Sequence, residues 1–143
     1  MLKQRMITAI DAVTATTVSS KFYVGDAKRI GFIFRRANHT AGSTAFSVKG
    51  SLQRLEDGIG TKDSFNYPTG GTAVTVVALN LLVNNLENTN AEEITRSTDV
   101  TLSANGDAIA WLDPLAFVNW VEVTATETTD GTHSAWVVVQ YED

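Results

Sequence analysis

Along most of this chain hydrophobic side chains recur at every second position, and no stretch carries a helical period long enough to build a βαβ unit. The clearest run is "RIGFIFRRA": Ile30, Phe32 and Phe34 share one parity, while Arg29, Gly31, Ile33 and Arg35 share the other. "AFSVKGSL" repeats the pattern with Phe46, Val48 and Gly50, and "DAVTATTVSSKFYV" is rich in β-branched residues and reads as one or two strands. "TAVTVVALNLLVN" changes parity, from Val74 and Val76 to Leu79, Leu81 and Val83, as a β-bulge near Val77 or Ala78 would produce; burial on both faces is the alternative. "EDGIGTKDSFNYPTGG" is the longest irregular connection, and "NNLENTNAEEITRS" is polar with room for a helical turn. "DVTLSA" and "AIAWL" flank the tight-turn signal "NGD", and Asp113–Pro114 breaks the ladder after them. About eight strands with little helix predict one all-β domain over residues 1–143, an antiparallel β-sandwich of jelly-roll-like type.

The closing segment can be taken further. Val121 and Val123 share a parity on the first arm, as Val137 and Val139 do on the second, so an antiparallel pair needs an odd loop between them. "TDG" at 129–131 supplies one, a type I turn with Gly131 in the left-handed region and a G1 bulge. In that hairpin Val121 faces Val139, and the polar side carries Trp120 and Trp136, roughly 13 Å apart. Two readings stand for the indoles. A second layer covers them as ordinary core, or they form a contact surface, where an apolar body with one N–H donor suits a nearly dry setting. Trp111, alternating with Ile109, is assigned to the core.

With 143 residues, 43% hydrophobic and 19% charged, the chain can bury a core without staples. It has no cysteine, which excludes a disulfide framework, a thiol nucleophile and cysteine-ligated metal, and fits folding in a reducing compartment. "MLKQRMITAIDAVTATTVSS" lacks a sustained apolar region and does not read as a signal peptide. The longest apolar stretch, "AVTVVALNLLV", is interrupted by Thr75 and Asn80 and is too short to span a bilayer, so no membrane partner is expected.

The net charge of −5 conceals a split: residues 1–54 hold nine basic residues against two acids, and residues 55–143 hold two against fourteen. Either a charged partner meets such a surface, or strands from both halves interleave and cancel it. Nucleic acid is not expected, since Lys28, Arg29, Arg35 and Arg36 alternate between strand faces and few aromatics interleave with them. No motif of a hydrolase, zinc protease or phosphate-binding loop is present, and His39 and His133 lie in polar, loop-like contexts. "LEDGIGTKD" and "ENTNAEE" miss the calcium-loop pattern. Catalytic, metal and cofactor sites are therefore all expected to be none.

"TAFSVKGSLQRLEDG", then "TLSANGDAIAWLDP" and "VEVTATETTDGTHSAWVVVQYED", resemble in style the small all-β virion structural proteins of tailed bacteriophages, of the capsid decoration and accessory type, over roughly residues 20–143. The resemblance implies a non-enzymatic protein located in the virion that binds capsid or tail subunits and occurs as a homo-oligomer or in many copies. It transfers no functional residue by position. The residues expected at such a contact are Trp120, Trp136, Arg35 and Arg36. A carbohydrate- or receptor-binding module, with an indole as sugar platform, is the alternative; an enzyme would need His39 or His133 in a cleft beside a carboxylate.

Overall fold

The structure, a computed structural model, describes residues 1–51, 77–84, 94–113 and 118–142. Its strands are β1 (Leu2–Val13), β2 (Thr17–Val18), β3 (Phe22–Tyr23), β4 (Ala27–Ala37), β5 (Gly42–Ser51), β6 (Val77–Ala78), β7 (Leu81–Asn84), β8 (Ile94–Ser97), β9 (Asp99–Leu102), β10 (Gly106–Leu112), β11 (Trp120–Thr129) and β12 (Thr132–Glu142). They form two antiparallel six-stranded sheets packed as a sandwich, with no helix among the described residues. Sheet A runs β1-β12-β4-β10-β7-β8; sheet B runs β2-β11-β5-β6, with β3 also on β11 and β9 also on β5.

The strand order is that of a long hairpin wrapped into two layers. β1 pairs with β12, β2 and β3 with β11, β4 with β10, and β5 with β9, so each early strand meets its late counterpart. Such wrapping defines the jelly roll. Among the described residues twelve segments replace the eight expected, because β2, β3 and β6 are two-residue pieces and β7 and β8 extend the edge of sheet A.

Between the sheets lies one core. Phe34 on β4 stacks on Phe46 on β5, 4.7 Å between ring centroids, and Phe32 lies 5.9 Å from Phe34. Both expected parities hold: Ile30, Phe32 and Phe34 are buried, as are Phe46 and Val48. The strands beside β4 answer its large rings with small side chains, Ala108 and Ala135 flanking Phe34 and Ala110 and Val137 flanking Phe32.

Two connections depart from expectation. "TDG" does not close a hairpin: β11 belongs to sheet B and β12 to sheet A, so the chain arches between layers there, through Thr129 (φ 75°) and Gly131 (φ 132°). Val121 and Val123 pair with Gly50 and Val48, while Val137 and Val139 pair with Ile7 and Arg5 on one side and Phe32 and Ile30 on the other. "NGD" likewise carries the chain from β9 in sheet B to β10 in sheet A. A short turn between two strands of matching parity satisfies the same hydrophobic pattern whether the strands lie side by side or face each other. The connection over 56–71, the parity change through Val74 and Val76, the turn over 85–93 and Pro114 lie outside the described residues.

Candidate interaction surface

Of the four residues expected at a contact, Trp136 and Arg35 come together and Trp120 and Arg36 do not join them. Trp136 is half-buried on the outer face of sheet A, with the Arg35 guanidinium carbon 5.1 Å from its ring centroid. Arg35 also donates two hydrogen bonds to Asp107, Nε to Oδ1 at 2.8 Å and Nη2 to Oδ2 at 3.0 Å. The hydrogen bonds from Arg35 hold the Asp107 carboxyl below its ordinary pKa.

Trp120 sits in the other sheet and is fully buried, with Lys21 Nζ 5.3 Å from its ring centroid and its Nε1 without a hydrogen-bond partner among the described residues. A side chain with no exposed area cannot touch a partner in this conformation. The exposed ribbon with two indoles is thereby replaced by one indole in each of two sheets.

Arg36 points between the sheets, where its side chain is 0% exposed against 5% for Glu127. Its Nη1 donates to Thr44 Oγ1 at 2.6 Å and to both Glu127 oxygens at 2.9 and 3.1 Å, Nε to His39 Nδ1 at 3.1 Å, and Nη2 to the Ala41 and Asp130 carbonyls. Thr44 Oγ1 also donates to Glu127 Oε2 at 2.9 Å, and His133 Nδ1 lies 3.2 Å from the same oxygen. Burial pushes the Glu127 carboxyl up, and hydrogen bonds from Arg36, Thr44 and His133 outweigh it, leaving the group below its ordinary value. His133, expected on an exposed loop, is thus fully buried on β12, edge-on to Phe46. Here a histidine stands beside a carboxylate, with the side chains of His133 and Glu127 enclosed between the sheets. The cluster ties β4, β5, β11 and β12 together at one end of the sandwich.

The charge split resolves by the same interleaving. Arg35, Arg36 and Lys21 from the basic part reach Asp107, Glu127 and Glu122 from the acidic part.

Among the described residues, exposed apolar side chains gather on the outer face of sheet A. Strand registers place Thr8, Trp136, Ile33 and Ile109 in one row across β1, β12, β4 and β10. The next row holds Met6, Val138, Gly31, Trp111 and Leu82, with Arg96 at its end on β8. Met6 is 61% exposed, Ile109 53% and Trp111 43%, which overturns the assignment of Trp111 to the core. The inward positions of β10 are Ala108, Ala110 and Leu112, because the Phe32–Phe34–Phe46 stack fills the interior and leaves the larger residues outside. With no side chain at Gly31, the face dips into a hollow of about 400 Å³ walled by Trp111, Ile109, Val138, Gln140 and Arg29. Apolar side chains contiguous across four strands of an exposed sheet are uncommon on a monomer. Among the described residues no group of His, Asp or Glu is arranged to hold a metal ion.

These features define an antiparallel β-sandwich with jelly-roll strand order and an apolar outer sheet face. In that fold the chain is similar to the crystal structure of the SPBc2 prophage-derived protein YomS, at 12% identity over 98% of this chain and 95% of that one, TM-score 0.57. Weaker similarities reach infectious bursal disease virus Gx strain (12% identity, 98% of this chain and 32% of that one, TM-score 0.39) and IMPa from Pseudomonas aeruginosa (16%, 100% and 13%, TM-score 0.29). Neither of these two scores is high enough to establish a shared fold. No family model matches the sequence, and no match is found among curated proteins.

Proposed function

We propose that this chain is a non-enzymatic structural protein of a tailed-bacteriophage virion, a capsid decoration or accessory protein that adds protein–protein contacts to a preformed shell. The observation that carries this reading is the apolar outer face of sheet A, where Met6, Ile109 and Trp111 lie open beside the Gly31 hollow. Such a face needs a protein cover, and at ~25 cal/mol per Å² of apolar area a modest contact repeated over a shell adds up. The similarity in fold to a prophage-derived protein is consistent with a phage setting. Co-sedimentation with emptied or expanded tailed-phage shells at micromolar concentration tests the proposal. Binding that is lost on Trp111→Glu supports it, and a protein that stays in the supernatant with every shell state contradicts it.

A glycan- or receptor-binding module is the second reading. It is favoured by one feature, the exposed indole of Trp111 lining the same hollow as the amides of Gln4 and Gln140. Binding on a glycan array that disappears with Trp111→Ala would support it.

A further inference from the structure

We infer that a cleft between β4 and β10 binds an amphipathic anion, an aliphatic chain that carries one carboxylate or phosphate head. The site goes beyond the proposed contact with a shell and needs no partner protein.

The cleft begins with strand register. β4 pairs with β12 as far as Ala27, and β10 runs beside β7 to Leu112, with the Asp113 N–H donating to the Asn80 carbonyl at 3.2 Å. The ladder between β4 and β10 stops earlier, at Gly31 and Trp111. Along β12, Gln140 faces Arg29 and Tyr141 faces Ala27, so Lys28 is an extra residue, and a bulge of this kind bends its strand. β4 and β10 part there around a cavity of about 520 Å³. The bulge also interrupts alternation. Lys28 and Arg29, neighbours that a regular strand sends to opposite faces, both line the cavity.

The chemistry of the walls names the ligand. The floor is Val24, Ile30, Leu112 and Val118, all buried members of the core cluster. Those side chains offer nothing to a hydroxyl or an amide, so a sugar or peptide group taken to that depth would give up its hydrogen bonds to water without replacement. An aliphatic chain gives up none, and the hydrophobic effect favours its entry. Leu82 and the Trp111 indole, 43% exposed, carry the apolar wall out toward the surface. At ~30 Å³ for each water-sized atom the cavity has room for roughly fifteen, enough for a chain of the length of decanoate.

Two cations in the wall lack a counter-charge. Lys28 and Arg29 are exposed and make no ion pair or side-chain hydrogen bond with any described residue. The carboxylate among the described wall residues, Asp113, is met by Arg96, whose Nε donates to Oδ2 at 2.6 Å. An anionic head beside Lys28 and Arg29, with its chain on the apolar floor, satisfies both parts of the site.

Isothermal titration calorimetry of the full chain with sodium decanoate, up to about 1 mM, tests the site. One-to-one binding is expected, with 1-decanol and decylammonium each weaker by about tenfold or more, since neither brings a negative head to the two cations. Lys28→Glu reverses a charge at the wall without touching the floor. It should leave circular dichroism unchanged, weaken decanoate by about tenfold or more and strengthen decylammonium; Arg29→Glu should act likewise. Lys28 borders this cavity and not the Gly31 hollow, so its substitution separates the cleft from the outer face of sheet A. Decyl phosphate run beside decanoate decides the head: either one binding supports the site, and the tighter names it. A wild type that takes up neither overturns the inference, as does binding that 1-decanol matches or that Lys28→Glu leaves intact. Glucuronate bound in preference to decanoate, and lost on Lys28→Glu, overturns it too and gives the cleft to an acidic sugar. Shell binding is scored separately, because Lys28→Glu leaves Met6, Ile109 and Trp111 in place.

Discussion

Arg36 on β4 and Glu127 on β11 form an ion pair between the two sheets, 2.9 Å from Nη1 to Oε1, with both side chains closed off from solvent. A buried pair of this kind is costly to break from one side, because the surviving charge is stranded without water or counter-charge. Glu127→Ala is expected to lower unfolding free energy by about 3–5 kcal/mol. The double substitution Arg36→Met with Glu127→Leu should recover part of that loss, since neither charge is then left buried. Urea unfolding of Glu127→Ala, of the double variant and of its two single substitutions measures both effects, and a double variant as unstable as the sum of its singles would contradict the account.

Acid sensitivity follows from the same geometry. The Asp107 and Asp26 carboxyls are lowered by hydrogen bonds from Arg35 and Arg5, and Asp130 by the Thr40 hydroxyl and the Ala41 N–H. In Glu127 the hydrogen bonds from Arg36, Thr44 and His133 overcome burial. A carboxylate whose folded pKa is depressed adds stability that is complete above its unfolded value, about 4, and is lost as pH falls through the folded value. The melting temperature should therefore lose little to these groups from pH 7 to about 5 and fall steadily below about 4. A melting temperature that rises on acidification through that range would contradict the assigned directions.

The same glycine-to-alanine change should have opposite consequences at two positions. Gly42 has φ +80°, and a Cβ there would stand 1.9 Å from the Thr128 carbonyl oxygen, so Gly42→Ala must move backbone and should cost more than about 2 kcal/mol. At Gly31 a methyl group makes only ordinary contacts, 3.7 Å from the Ala110 carbonyl oxygen and 3.8 Å from the Trp111 ring, and Gly31→Ala should stay within about 0.5 kcal/mol of the parent. Equilibrium denaturation of the dilute proteins separates them.

The three tryptophans should report their surroundings individually. Trp120 is closed off, Trp136 is half-buried beneath Arg35, and Trp111 is the open one. In dilute protein Trp111→Phe should remove most of the acrylamide-quenchable fluorescence, while Trp120→Phe should leave the quenchable part intact. Equal loss from both substitutions would place the indoles wrongly.

Much of the fold was legible because parity survives whatever the topology does. The alternation in "RIGFIFRRA" identifies the buried face of β4, and those in β5, β11 and β12 follow suit. Parity alone is silent about which strands are neighbours, so the arches at 129–131 and at "NGD" read as hairpins until long-range pairing places their arms in different sheets. Site residues were harder to read for a related reason. In "AIAWL" size suggests that Ile109 and Trp111 face inward, yet the inward parity belongs to the alanines that accommodate Phe32 and Phe34 from the next strand. That signal was present in the sequence only as a complement to rings about 75 positions away. Arg36 followed the parity of Phe34 and was legible as inward-pointing; what the sequence did not reveal was its acid, Glu127, on the opposite sheet.

Hydroxyl-radical footprinting of the nanomolar chain and of the chain bound to shells addresses the outer face of sheet A most directly. The account predicts that Met6 and Trp111 are oxidised readily in the dilute chain and protected in the assembled state, with buried Trp120 unmodified in both. Equal oxidation of Met6 and Trp111 in the two states would contradict it, because a face that stays wet in the assembly has no protein cover.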